Sequence, residues 1–178
     1  MNTMTKQMKI ILSLIALFIV IQFIRPAKNS STTQTGQTIA DVFPVSDTVR
    51  HILTTSCFNC HSNNTRYPWY ASVEPVGWYL NDHIQDGKHD LNFDEFGTYV
   101  PRRQYGKLRQ IQRQIKEDEM PLPSYLLIHR DAVLSAGQKT ILLTWASSLM
   151  DTLKAHHPLD SLEWRRRRPI QTNSKEDK

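Results

Sequence analysis

Only two cysteines occur in this chain of 178 residues, and glycine is scarce at six. With so little glycine there is no Gly-rich loop to cradle a phosphate, and no recognisable triad motif points to a nucleophilic hydrolase. Alternation of apolar and polar residues with a period of two is also missing, so no β-sheet is expected. A surplus of positive charge is missing from the middle of the chain. The formal net charge is +5, but residues 1–45 contribute +3, residues 46–160 contribute −1 and residues 161–178 contribute +3. Because the excess sits at the two ends, a nucleic-acid face is unsupported and no nucleic-acid partner is expected.

Both cysteines stand in one short group, Cys57-Phe58-Asn59-Cys60-His61. C-x-x-C-H is the haem c attachment sequence. Two thiols three positions apart can add across the two vinyl groups of one porphyrin, and the adjacent imidazole can reach the iron as its proximal ligand. Three other readings are weaker. A redox dithiol normally follows a strand at a helix N-terminus, whereas Ser46 to Ser56 reads as a helix that places the pair at its C-terminal end. In a zinc site His61 would lie too close to the cysteines for the usual spacing. A Cys57–Cys60 disulfide would close almost no loop and so stabilise little.

Met8 to Ile24 contains an almost unbroken apolar run from Ile10 to Ile24, with Lys6 and Lys9 before it. As a helix of about 1.5 Å per residue it would span about 26 Å, slightly under a bilayer core. Phe23-Ile24-Arg25-Pro26-Ala27-Lys28 is a poor cleavage site, so a retained N-terminal transmembrane helix is expected over residues 1–28. Flanking charge is balanced and does not orient the helix. Covalent haem attachment takes place outside the bacterial inner membrane, so a single-pass protein with its haem domain on the periplasmic side is expected. Residues 29–41, rich in Ser, Thr and Gln, read as a flexible linker. Residues 42–155 would form the haem domain and residues 156–178 a basic polar tail.

Helical periodicity runs through the domain. Ser46 or Asp47 can cap a helix carrying Val49, Ile52 and Leu53 on one face. Asn63 to Glu74 is too irregular for a long helix and suits a loop wrapped around a flat ligand. Pro75 to Gln85 places Val76, Tyr79, Leu80, His83 and Ile84 on one stripe, ending before Asp86-Gly87. Arg102 to Glu119 is amphipathic through Leu108, Ile111 and Ile115. Ser135 and Gln138 resemble a capping box opening a last helix, with Ile141, Leu142, Trp145, Leu149 and Leu153 facing inward. The expected fold class is all-α.

An electron carrier needs a sixth iron ligand. Met120, in Glu119-Met120-Pro121-Leu122-Pro123, offers a thioether on a loop stiffened by two prolines. His83, on the apolar stripe, is the alternative distal ligand, and His129 comes third. His89 lies in a polar turn, His51 beside the motif helix, and Met150 inside a long helix with no obvious pocket. His156 and His157 read as solvated helix-end residues.

The blocks C-F-N-C-H-S-N-N-T-R-Y-P-W-Y (Cys57 to Tyr70), P-V-G-W-Y-L-N-D-H-I (Pro75 to Ile84), L-N-F (Leu91 to Phe93) and E-M-P-L-P-S-Y-L-L-I-H (Glu119 to His129) resemble the bacterial haem-binding domain family. That resemblance implies a cytochrome c-like helical domain, with haem attached through Cys57 and Cys60, His61 as ligand, and Met120 where small soluble cytochromes c carry their methionine. Two function classes follow. One is a membrane-anchored monohaem electron carrier, not an enzyme, exchanging electrons with redox partner proteins. The other is a haem enzyme or a gas or redox sensor with an open distal position. Arg165-Arg166-Arg167-Arg168 reads as a solvated tail, with docking to anionic lipid or an acidic redox partner as the functional alternative.

Overall fold

The computed structural model describes residues 5–33 and 36–163, and every regular element among them is helical. The Arg165–Arg168 run lies outside the described residues. In chain order the α-helices are α1 (Lys6–Ile21), α2 (Ile39–Val42), α3 (Asp47–Ser56), α4 (Phe58–His61), α5 (Val76–Asp90), α6 (Pro101–Lys116), α7 (Pro123–Leu126), α8 (Ala136–His156) and α9 (Leu159–Leu162).

The expected transmembrane helix is not present: among the described residues no helix is long and apolar enough to cross a membrane. The N-terminal helix α1 has 16 residues, about 24 Å at 1.5 Å per residue, against the ~20 residues and ~30 Å that a bilayer core requires. Its end is fixed by the domain. The Gln22 side chain donates to the Glu74 carbonyl at 3.0 Å and accepts the Glu74 N–H at 2.9 Å. The Trp78 indole N–H then takes the Ile24 carbonyl at 2.7 Å. These bonds draw residues 22–24 onto the domain surface, where a longer helix would have carried them away from it.

The segment after α1 is tied down at Asn29, which is only 6 % exposed. Its side chain donates to the Ser62 carbonyl and to Thr65 Oγ1 and accepts from Lys88, while its N–H reaches the Tyr67 hydroxyl. A buried amide needs such partners, because leaving them unmade costs about 1–3 kcal/mol.

Helices α3, α6 and α8 build the core. Ser46 caps α3 by accepting the Val49 N–H, and Val49, Ile52 and Leu53 are buried. Pro101 opens α6 at a position where its missing N–H costs nothing. The Ser135/Gln138 capping box is present and starts α8, which buries Leu142, Trp145, Ala146, Leu149, Met150 and Leu153. Ile141, expected to face inward, is 38 % exposed. The main helix–helix contact is α6 on α8, reinforced where Gln112 donates to the Leu143 carbonyl and Ser147 Oγ.

Helix α5 departs most from its sequence pattern. It does not stop at Asp86-Gly87 but continues to Asp90, and Val76 and Tyr79 are exposed at 44 % and 55 %. Gly87 is a crossing point: a Cβ there would lie 2.9 Å from the Cys60 carbonyl oxygen and 3.2 Å from Cys60 Cβ. Helix α4 therefore lies against α5 at a distance that only glycine allows. Gly87→Ala should gain up to ~1 kcal/mol of helix propensity and lose about 1–3 kcal/mol to overpacking. The expected net result is a less stable domain, read as a lowered denaturation midpoint in the purified protein.

Candidate haem site

The motif residues sit where α3 breaks and α4 begins. Cys57 ends α3 with φ −127° and ψ −45°, and its carbonyl then accepts the N–H groups of Cys60 and His61 at 3.1 and 3.0 Å. One tight turn thus gathers both thiols and the imidazole. The Phe93 N–H bonds the His61 carbonyl at 2.8 Å, and the Phe93 ring stands edge-on to the imidazole at 6.3 Å.

The hydrogen bonds that orient the imidazole come from backbone. His61 Nδ1 lies 2.9 Å from both the Gly87 and the Leu91 carbonyl oxygens. Carbonyl oxygens only accept, so Nδ1 carries the proton and Nε2 presents its lone pair. A metal-ligating histidine is held in this way: donation from the other ring nitrogen fixes the tautomer and increases ligand basicity.

Two adjoining cavities, of about 80 and 290 Å³, flank this histidine. Cys57, His61, Met120 and Pro121 border both of them. The inner cavity is walled mainly by apolar side chains, among them Leu53, Phe93, Ile111, Ile115, Leu134 and Leu142. The outer one adds Cys60, His83, Asp86, Leu122 and Tyr125. Cys57, Cys60, His61, Met120 and His83, the residues singled out from sequence, therefore converge on one region. Met120 adjoins His61 in both cavities, His83 only in the outer one. His83 gives its Nδ1–H to the Tyr79 carbonyl of its own helix at 2.8 Å, and its ring lies 4.2 Å from the Tyr79 ring at a 44° tilt.

The remaining candidates lie elsewhere. His129 borders neither cavity; its Nε2 is 2.6 Å from the Tyr70 hydroxyl and its ring stacks on Tyr125 at 4.1 Å. Met150 is a buried core residue of α8, and His51 and His89 are exposed. His156 bonds back to the Thr152 carbonyl. Residues 63–74, expected to wrap the ligand, border neither cavity; Tyr70 instead reaches across to His129.

Electrostatics set the thiols apart from redox dithiols. No disulfide joins the two cysteines. Burial, with the neighbouring Cys60 adding to it, pushes the Cys57 thiol up to about 12, and burial pushes Cys60 up to about 11. A catalytic C-x-x-C pair has the opposite character, a thiol whose acidity is increased. No three His, Cys, Asp or Glu side chains among the described residues converge as a metal-ion cluster, although His83 and His89 have five residues between them.

Sequence reading overlooked the polar rim. Lys107 borders the inner cavity and bonds Asp90 Oδ1 at 2.6 Å, while Gln110 bonds Asp90 Oδ2 at 2.9 Å. Burial raises the Asp90 carboxyl, but Lys107 and Gln110 outweigh it and hold the group below the usual carboxylate range. Among the described residues, Lys107 is the only lysine or arginine on the walls of these two cavities. The signal lay in α6, where Lys107 shares a helical face with Ile111 and Gln110 with Gln114.

The donor set suits an iron porphyrin: an oriented imidazole, a thioether, neutral thiols, and mainly apolar walls around them. Comparison with known families agrees, since the model of the haem-binding domain matches residues 16–148. The chain belongs to the haem-binding domain family, and haem is its ligand. No curated protein and no solved structure matches it.

Proposed function

We propose that this protein is a monohaem c-type cytochrome that transfers electrons, with the haem attached through Cys57 and Cys60. The observation that carries the reading is the doubly anchored His61 ring, which lines with Met120 and Cys57 the walls of two adjoining cavities. When bound, the haem iron supplies one-electron chemistry between its ferric and ferrous states.

The chain's own residues would act by holding and shielding. The carbonyls of Gly87 and Leu91 keep the His61 ring in one orientation. Pro121 and Pro123 limit the freedom of the Met120 loop, lessening the ordering cost of presenting sulfur. Leu53, Ile111, Ile115 and Leu142 exclude water from the inner face. No bond in the protein is made or broken, so the role is transfer and not catalysis. Covalent attachment places the working domain on the outer side of the bacterial inner membrane, with redox proteins as partners.

Exposure of the ferrous protein to carbon monoxide tests this reading. A Met/His-ligated carrier should keep its spectrum at low carbon monoxide, because a protein ligand fills the distal position. Immediate formation of an adduct would assign an open site and favour an enzyme or sensor.

A further inference from the structure

We propose that Asn59 and Tyr125 form a latch that closes the Met120 loop onto the C-x-x-C-H segment and sets how fast the distal position can be vacated. The inference rests on Met120 as the distal ligand.

The loop has little else to hold it. No residue of α7 is buried, and Leu127 and Ile128, which follow it, are exposed at 68 % and 62 %. Core packing therefore does not fix the chain between Met120 and His129. Short of His129, the tie from Tyr79 is weak, its hydroxyl standing 3.5 Å from Ser124 Oγ. The close one is Asn59 Nδ2–H donating to the Tyr125 hydroxyl at 2.7 Å. Tyr125 borders the outer cavity, and its ring stacks on His129 at 4.1 Å with only 15° between planes. His129 is held in turn by the Tyr70 hydroxyl at 2.6 Å.

The other jaw of the latch is fixed. Asn59 lies between the two cysteines, so haem attachment on either side would immobilise it. Its Oδ1 accepts the Arg66 N–H at 3.2 Å and its carbonyl accepts the Thr65 hydroxyl at 2.7 Å. One side chain thus joins the proximal segment, the loop after it and the distal loop. For Met120 to leave its position, the segment carrying Tyr125 has to swing away, and the Asn59–Tyr125 bond opposes that motion. Tyr125 is on this account a positioning residue.

The test is stopped-flow binding of imidazole to the ferric haem-loaded full chain, at imidazole concentrations where departure of Met120 limits the rate. Tyr125→Phe keeps the ring and loses the hydrogen bond, and should raise the limiting rate about three- to tenfold, the size expected for one net hydrogen bond. Tyr125→Leu loses the His129 stack as well and should raise it further. Asn59→Asp reverses the bond, its carboxylate accepting from the Tyr125 hydroxyl, and still accepts the Arg66 N–H, so the rate should stay within about twofold of the parent. A sulfur-to-iron band retained at neutral pH in all three would show that the resting ligand is unchanged and only its release is altered. Limiting rates in Tyr125→Phe and Tyr125→Leu within about twofold of the parent would overturn the latch while leaving the carrier reading intact. A Met120→Ala spectrum identical to the parent would overturn the ligand assignment, and the latch with it.

Discussion

Met120→Ala is expected to abolish the weak sulfur-to-iron band of the ferric protein and lower its reduction potential by about a tenth of a volt or more. Axial ligation tunes haem potentials over ~0.8 V, and a thioether raises the potential relative to a second imidazole or water. The physical reason is that a soft, neutral sulfur donor favours the ferrous state. The effect should be specific. His83→Ala removes the other nearby donor, which borders only the outer cavity and already bonds the Tyr79 carbonyl through Nδ1. Its potential should stay close to that of the parent. Spectroelectrochemical titration of the two variants side by side checks both statements. A potential that falls in His83→Ala and not in Met120→Ala would reverse the assignment.

Replacing both thiols, Cys57→Ala with Cys60→Ala, should have the largest effect on the domain as a whole. Without attachment, the apolar walls of Leu53, Ile111, Ile115, Leu134 and Leu142 would face an unfilled space. Large apolar voids are costly because their lining loses packing partners on one side. A loss of about 5 kcal/mol or more, roughly 10–20 °C in melting temperature for a chain of this size, is the expected magnitude. Thermal unfolding followed by far-ultraviolet circular dichroism reads it. An unchanged melting temperature would mean that the walls close on themselves and that haem is not part of the core.

Local chemistry was the most legible part of this chain. Ser46 and the Ser135/Gln138 pair cap helices because their side-chain oxygens satisfy free N–H groups within three residues, a relation visible in sequence. The motif was legible for a similar reason, since Cys57, Cys60 and His61 act within one turn. Tertiary contacts explain the errors. Gly87 reads as a helix stop, yet the approach of Cys60 requires a residue without a Cβ inside a continuing helix. The apolar run at the N-terminus reads as a bilayer span, yet Gln22 and Ile24 are engaged by Glu74 and Trp78, 52 and 54 residues away. Val76 and Tyr79 read as part of one stripe with Ile84, yet of the three only Ile84 is buried. Asn59 and Tyr125, 66 positions apart, have no local signature, and neither does the Lys107–Asp90 pair at the cavity edge.

The most direct measurement of the central claim is the intact mass of the purified protein, produced with the haem-attachment machinery, after acid-acetone extraction. The account predicts a polypeptide that keeps its colour and carries the added mass of one haem. A colourless protein of unmodified mass, with the pigment in the organic phase, would contradict attachment through Cys57 and Cys60.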